Sequence, residues 1–222
     1  MPSAGQGKRV GGKTPKQFLS FHGAPLFIRT VRILSASPSL DGIVVVAPPR
    51  DVEMVGRLLK RFRPGKVLAV VPGGKERQES VWLGLQALPE ETEIVLVHDA
   101  VRPFLTVGLV ELIVREAERS GAVTCGLPVR ETVKRVKDDL VRETVSREGL
   151  WLVQTPQAFH RALLVKAHAE ARAQGYWGTD DAVLVERLGF PVRMMPGLRE
   201  NIKITTREDF SLAQRLLQRS GR

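Results

Sequence analysis

Three short runs constrain this sequence more than anything else in it: Gly42-Ile43-Val44-Val45-Val46-Ala47, Val67-Leu68-Ala69-Val70-Val71 and Glu93-Ile94-Val95-Leu96-Val97. Each is apolar almost without interruption, the pattern of a strand buried on both faces. Each ends in residues that stop or turn a strand: Pro48-Pro49, Pro72-Gly73-Gly74 and His98-Asp99. The stretches around them carry apolar residues at helical spacing. Pro25 suits the first position of a helix, and Leu26, Phe27, Val31, Ile33 and Leu34 give it a buried face to about Ala36. Further helices are read from about Arg50 to Arg63, Glu76 to Leu88 and Thr106 to Arg119, and a strand from Ala122 to Leu127. This alternation predicts an α/β fold, a Rossmann-like, mostly parallel sheet with helices on both faces. Ligands of such sheets sit beyond the carboxyl ends of the strands, where Gly73-Gly74 and His98-Asp99 fall.

Residues 130–149 depart from that pattern. Thr132 to Val136 and Leu140 to Val145 largely alternate apolar and polar residues about a Lys137-Asp138-Asp139 turn, which predicts a protruding two-stranded β-arm. An isolated hairpin is marginal in water, so the arm is expected to pack on something, a second subunit being the natural candidate. Leu150 to Val153 returns to the sheet and Arg161 to Ala173 is helical. Thr179-Asp180-Asp181 caps a helix to Leu188, with short strands expected at Pro191–Met195 and Asn201–Ile204. Thr206-x-x-Asp209 opens the last helix. The 222 residues suit a single domain, 1–222, of which the arm is part.

The net charge of +10 asks for anionic partners. A nucleic-acid binder is one reading, but aromatics are only 5% and do not interleave with the cations as stacking platforms, so nucleic acid is not expected. No apolar run approaches the length that spans a membrane, and no signal peptide is visible. The lone Cys125 lies in an apolar run and reads as a buried small hydrophobe; the cytoplasm is the expected compartment.

The first eighteen residues, MPSAGQGKRVGGKTPKQF, mix Gly5, Gly7, Gly11 and Gly12 with Lys8, Arg9, Lys13 and Lys16. Glycines that turn backbone N–H groups inward beside cations make a phosphate cradle. Gly7 to Thr14 matches GxxxxGK[ST] by letter, but no strand precedes it and Pro15 opposes a helix after it. The match reads as accidental; a P-loop NTPase using Lys13 and Asp99 is the rival it would imply. The dinucleotide pattern GxGxxG fails at Val10. Folded as above, the chain would crowd Arg9, Lys16, Arg77, Arg102 and Lys203 around one spot, as a polyanion requires. On the residues alone Asp99 reads as functional, His98 as a structural neighbour, and Thr179 as a helix cap whatever else it does.

At this point the chain resembles the 2-C-methyl-D-erythritol 4-phosphate cytidylyltransferases of non-mevalonate isoprenoid synthesis. The resemblance runs over nearly the full length and rests on PSAGQGKRVGGKTPKQF, GGKERQESV, VHDAVRPF, PVRETVKR, LWLVQTPQAF, TDDA and ENIKIT in that order. It implies a nucleotide-diphospho-sugar transferase type of fold, and transfer of CMP from CTP to a phosphorylated polyol with release of pyrophosphate. It also implies Mg²⁺ as cofactor and a homodimer formed through the β-arm. By resemblance, Pro2, Ser3, Ala4, Gly5 and Gly7 bind the nucleotide, with Gly74 and Ser80 on the cytosine. Arg9, Lys16, Lys203 and Asp99 form the catalytic set, and Asp99 also meets the metal. Arg102, Thr132, Arg147, Thr155 and Thr179 hold the acceptor, Thr132 and Arg147 reaching into the neighbouring subunit. Lys75 stands where the resemblance leads one to expect an acidic residue, and Val10 where a Met is usual. A cytidylyltransferase for another polyol phosphate, such as ribitol 5-phosphate, is the nearest rival.

The resemblance carries one structural expectation. The family begins with a buried strand ahead of PSAG, and here only Met1 precedes it. Losing about five buried apolar side chains would remove on the order of 10 kcal/mol, against domain stabilities of about 5–15 kcal/mol. The chain is therefore expected to fold poorly or to leave a gap in mid-sheet, as if its start had been placed too late. Intact mass of the natively produced protein checks that expectation.

Overall fold

The computed structural model describes residues 16–21 and 23–220. A small hairpin of β1 (Ser20–Phe21) and β2 (Ala24–Pro25) leads into α1 (Leu26–Ala36), whose Leu26, Phe27, Val31 and Leu34 are buried as the spacing predicts, with Ile28 buried besides them and Ile33 only partly so. Then follow β3 (Ile43–Ala47), α2 (Val52–Phe62), β4 (Val67–Pro72), α3 (Arg77–Gln86), β5 (Ile94–Val97), α4 (Val107–Ser120) and β6 (Ala122–Pro128). All five residues of β3 are buried, as an unbroken apolar run requires. The arm is β7 (Val133–Lys137) paired antiparallel with β8 (Leu140–Val145). The chain closes with β9 (Trp151–His160), α5 (Arg161–Ala173), α6 (Ala182–Arg187), β10 (Arg193–Pro196) and α7 (Arg207–Ser220).

The central sheet has the order β10-β6-β9-β5. β10 runs parallel to β6, while β9 is antiparallel to both β6 and β5. Three of its four strands thus share one direction and β9 alone runs against them. The cause is the arm. The chain leaves β6 into a hairpin and returns at the same end, where Val129 N–H bonds the Leu150 carbonyl at 2.9 Å. Without a crossover, the next strand can only run antiparallel. Side-chain alternation then sends neighbours to opposite faces. Ala158 and Val123 join the core under α1, α2 and α4, whereas Phe159 and Ala122 join the core under α3, α5 and α6. Helices cover both faces, as expected of an α/β fold.

Among the described residues β3 and β4 form a separate parallel pair. Between β3 and β5 opens an apolar cleft of about 590 Å³, lined by Val44, Val46, Leu85, Val95, Val97 and Val114.

Several local readings need correction. β9 is ten residues long and continues through Gln154, Thr155 and Gln157 to His160, well beyond Val153. Asn201–Ile204 is not a strand: its backbone is tied by Ile204 N–H to the Val101 carbonyl at 3.0 Å. The helix after Thr179 begins at Ala182, and Asp180 rather than Thr179 accepts from its first turn, at Val183 N–H, 3.1 Å. The capping box at Thr206 and Asp209 is present in both directions, at 3.1 and 2.9 Å.

Candidate active site

β5 ends at Val97, and the next two residues turn beneath the sheet edge. Both are buried, His98 at 1% and Asp99 at 5% exposure. His98 Nε2 lies 3.1 Å from the Arg102 carbonyl and Nδ1 lies 3.1 Å from Thr155 Oγ1. A carbonyl only accepts, so Nε2 carries the proton and Nδ1 of the neutral ring accepts from the Thr155 hydroxyl. Thr155 Oγ1 in turn accepts from Asp99 N–H at 3.1 Å. The turn that presents Asp99 is therefore fixed by a closed set of neutral hydrogen bonds. Burial pushes the His98 imidazole down to about 4, despite its bond to the Arg102 carbonyl and the nearby Asp99 charge.

That shift has a sign. Between its ordinary value of 6.5 and about 4 the unfolded chain takes up a proton that folded His98 refuses. Stability contributed by neutral His98 is complete above pH ~6.5 and lost as pH falls toward ~4, about 2–4 kcal/mol in all. Urea unfolding at a series of pH values is expected to show that slope, and His98→Gln is expected to flatten it. An unchanged slope in the variant would place the effect elsewhere.

Asp99 gathers three cations from three parts of the chain. Lys203 Nζ is 2.9 Å from Oδ2, Arg77 Nε is 3.4 Å from Oδ1, and Arg102 Nε is 3.6 Å from Oδ2. Burial alone would raise the carboxyl, but the Arg77, Lys203 and Arg102 charges hold it far below the usual carboxylate range. Arg102 is further tied by its Nη1 to the Asn201 carbonyl at 2.9 Å. Asn201, itself fully buried, donates from Nδ2 to the Thr155 carbonyl at 2.8 Å. The segment bearing Lys203 is thereby anchored on both sides, at Asn201 and at Ile204.

Arg77 is the first residue of α3, and the loop before it folds back onto the helix. Gly74 N–H donates to Ser80 Oγ at 3.2 Å, Ser80 Oγ donates to the Glu76 carbonyl at 3.0 Å, and Lys75 N–H donates to Glu79 Oε2 at 2.7 Å. A Cβ on Gly74 would lie 2.2 Å from the Glu79 carboxylate carbon, so glycine lets that carboxylate close over the loop. The Ser80 hydroxyl is buried and engaged in shaping Gly74's loop.

The other predicted site residues divide clearly. The structure brings Arg77, Arg102 and Lys203 together on Asp99 and places Thr155 directly behind it. Thr132, Thr179 and Arg147 are exposed. Arg147 donates to the Arg130 carbonyl at the base of the arm. Pro2, Ser3, Ala4, Gly5, Gly7 and Arg9 lie outside the described residues, as does the side chain of Lys16; only the Lys16 backbone is seen, opening a short 3-10 turn to Phe18. Sequence reasoning missed the fully buried Asp181, which pairs with Arg77, the fully buried His168, which bonds Asp181, and Gln157, whose amide bonds Thr124, Asp180 and the Asp181 N–H. Their one visible signal was the doubled acid Asp180-Asp181. One carboxylate suffices to cap a helix, leaving the second without a task.

Among the described residues no group of three or more His, Cys, Asp and Glu converges as a metal site. No described helix is long and apolar enough to cross a membrane. Burial pushes the Cys125 thiol up to about 12, which excludes it as a nucleophile near neutrality.

The chain is similar to known proteins over nearly its whole length. Residues 1–219 match the family model described as 2-C-methyl-D-erythritol 4-phosphate cytidylyltransferase. Proteins of that name from Desulforamulus reducens and Symbiobacterium thermophilum are 45% and 47% identical. The matches cover 99% and 100% of this chain and 94% and 93% of theirs. The crystal structure of the Thermus thermophilus cytidylyltransferase is 38% identical and superposes with a TM-score of 0.80, covering 92% of this chain and 94% of that one. The 4-diphosphocytidyl-2C-methyl-D-erythritol synthase of Anaerococcus prevotii superposes with a TM-score of 0.83 at 31% identity, covering 91% and 93%.

Proposed function

The chain belongs to the 2-C-methyl-D-erythritol 4-phosphate cytidylyltransferase family, and we propose that the cationic cluster on Asp99 is the centre at which it works. The enzyme transfers CMP from CTP to 2-C-methyl-D-erythritol 4-phosphate in isoprenoid precursor synthesis, releasing pyrophosphate. The observation that carries the proposed site is the convergence of Lys203, Arg77 and Arg102 on one buried carboxylate at a strand end.

The reaction joins an oxygen of the acceptor's phosphate to the α-phosphorus of CTP and breaks the bond from that phosphorus to the bridging oxygen of pyrophosphate. A phosphate monoester has its second pKa near ~6 and is mostly dianionic at neutral pH. It needs no general base, which suits a centre whose histidine is neutral and fully hydrogen-bonded. The barrier is the approach of one anion to another, and fixed cations lower it most where charge builds up. Lys16 and Lys203 stabilise the crowded α-phosphorus, and Arg9 holds the outer phosphates. Pro2 to Ala4, Gly5 and Gly7 seat the nucleotide, with Gly74 and Ser80 framing cytosine. Arg102, Thr155 and Thr179 border the acceptor. Mg²⁺ is commonly held by one or two carboxylates plus substrate phosphates, so a single ionised Asp99 fits it, and the bound ion would offset phosphate charge.

Thr132 and Arg147 complete the acceptor site of a second subunit. In support, the arm carries Val136, Leu140 and Val141 exposed at 54%, 60% and 61%, an apolar surface that a partner would cover. Sedimentation equilibrium at micromolar concentration is expected to give twice the 24.6 kDa chain mass. A monomer would refute the dimer.

Pyrophosphate release with CTP and alternative acceptors tests the activity. Turnover is expected with 2-C-methyl-D-erythritol 4-phosphate and little with ribitol 5-phosphate; the reverse order would overturn the assignment. The enzyme is expected in the cytoplasm.

A further inference from the structure

Arg77 shares its guanidinium between two carboxylates. Its Nε faces Asp99 at 3.4 Å, and its Nη1 faces Asp181 Oδ2 at 2.7 Å. Asp181 is completely buried, and its other oxygen accepts from His168 Nε2 at 3.1 Å. His168 is also completely buried, and its ring stacks on Trp82 of α3 at 6.3 Å between centroids. A continuous series therefore runs His168, Asp181, Arg77, Asp99, Lys203, from the packing of α5 against α3 to the charged centre. We propose that Asp181, held by His168, is a positioning residue: it aims Arg77 so that Asp99, and through Asp99 the Lys203 ammonium, are held in register for phosphoryl attack.

Three observations favour this over a purely structural ion pair. The Arg77 side chain is 27% exposed, so without Asp181 it could turn outward and leave Asp99. Burial would raise the Asp181 carboxyl, and the Arg77 charge is the foremost of the groups that hold it below the usual carboxylate range, His168 adding to it. The neighbouring residue repeats the connection: Gln78 donates to the Tyr176 carbonyl at 3.0 Å and accepts from Gly178 N–H at 2.8 Å. Two consecutive residues of α3 thus bind the 176–181 loop, which bears Thr179. The loop that shapes Gly74 and the loop that carries Thr179 are fastened together through Arg77 and Gln78.

The kinetic part of this proposal rests on the transfer reaction proposed above, so its test has an arm that does not need turnover. In ¹⁵N–¹H spectra of arginine Nε–H groups, Arg77, assigned by its loss in Arg77→Lys, is expected as a resolved, slowly exchanging resonance. It should vanish in Asp181→Asn and His168→Leu and persist in His168→Gln, which retains a donor. A resonance unaffected by Asp181→Asn would overturn the proposal. Kinetically, Asp181→Asn should lower kcat about 10²-fold with little change in the KM for CTP, as small misplacements of reacting groups do. In an Arg77→Gln background the same change should add less than about twofold, because both residues act through one contact. Multiplying losses would show that Asp181 affects the rate by a route other than Arg77 and would overturn the proposal. If Asp181→Asn does not accumulate folded, His168→Leu against His168→Gln makes the same decision. A wild-type enzyme without turnover would sink the functional reading, and the spectra would still judge the clamp.

Discussion

Asp99→Asn is expected to lower kcat by about 10²–10³-fold and to destabilise the fold by about 3–5 kcal/mol. The substitution keeps shape and removes one negative charge. It leaves Arg77, Arg102 and Lys203 facing one another around a neutral amide, with Arg102 nearly as buried as the carboxylate was. Breaking a buried pair costs more than the pair contributes, because uncompensated charge remains in a poorly solvated place. The acid limb of stability should change too. The Asp99 carboxyl is held far below its ordinary value, so its contribution is present above the ordinary carboxylate pKa and lost as pH falls through the depressed one. The variant should therefore unfold less steeply in acid below pH ~4. Inorganic triphosphate should recover part of the lost Tm, since an anion that binds only the folded cation cluster stabilises by mass action. Wild-type stability together with wild-type kcat would refute the central role given to this carboxylate.

Much of this architecture was legible because burial on two faces leaves an unmistakable trace. Ile43–Ala47 could hardly be anything but an interior strand. The second half of β9 was not legible, for a related reason. Gln154, Thr155 and Gln157 are polar yet buried, and each is satisfied inside the protein: Gln154 at Leu198 and Asn201, Thr155 at His98 and Asp99, Gln157 at Thr124 and Asp180. Such partners are distant in sequence, so no local pattern announces them. Asn201–Ile204 misled in the opposite sense. Its alternating residues look like a strand, but its polar groups bind the 99–102 turn and β9 and belong to no ladder. The charged centre was half legible. Asp99, Arg102 and Lys203 stand at predicted strand ends and follow from the surplus of cations. Asp181 passed for part of a helix cap, although one carboxylate of the Thr-Asp-Asp sequence suffices for capping, and His168 passed for an ordinary position on α5. Only the fold, which carries Arg77 to a residue more than a hundred positions later, shows what they do.

Lys203→Ala is expected to separate activity from stability in a way Asp99→Asn cannot. The Lys203 side chain is 42% exposed and reaches Asp99 across 2.9 Å from a segment whose backbone is fastened independently, by Asn201 to Thr155 and by Ile204 to Val101. Removing a part-exposed ammonium from such a frame should change unfolding free energy by no more than about 1 kcal/mol, the range of solvated ion pairs. The anchors keep the main chain in place, and Asp99 retains Arg77 and Arg102. The reaction has no such substitute. A cation fixed at the site where charge gathers is worth about 10²–10³-fold in rate, and kcat should fall by that factor. Lys203→Arg should restore little. A planar guanidinium spreads its charge over several donors and, beside Arg77 and Arg102, cannot take the point position of an ammonium. Steady-state kinetics with urea unfolding on the same preparations decide the matter. A kcat that survives the loss of Lys203 would mean that the ammonium only neutralises Asp99. The cations that meet the nucleotide would then have to come from the amino-terminal segment alone.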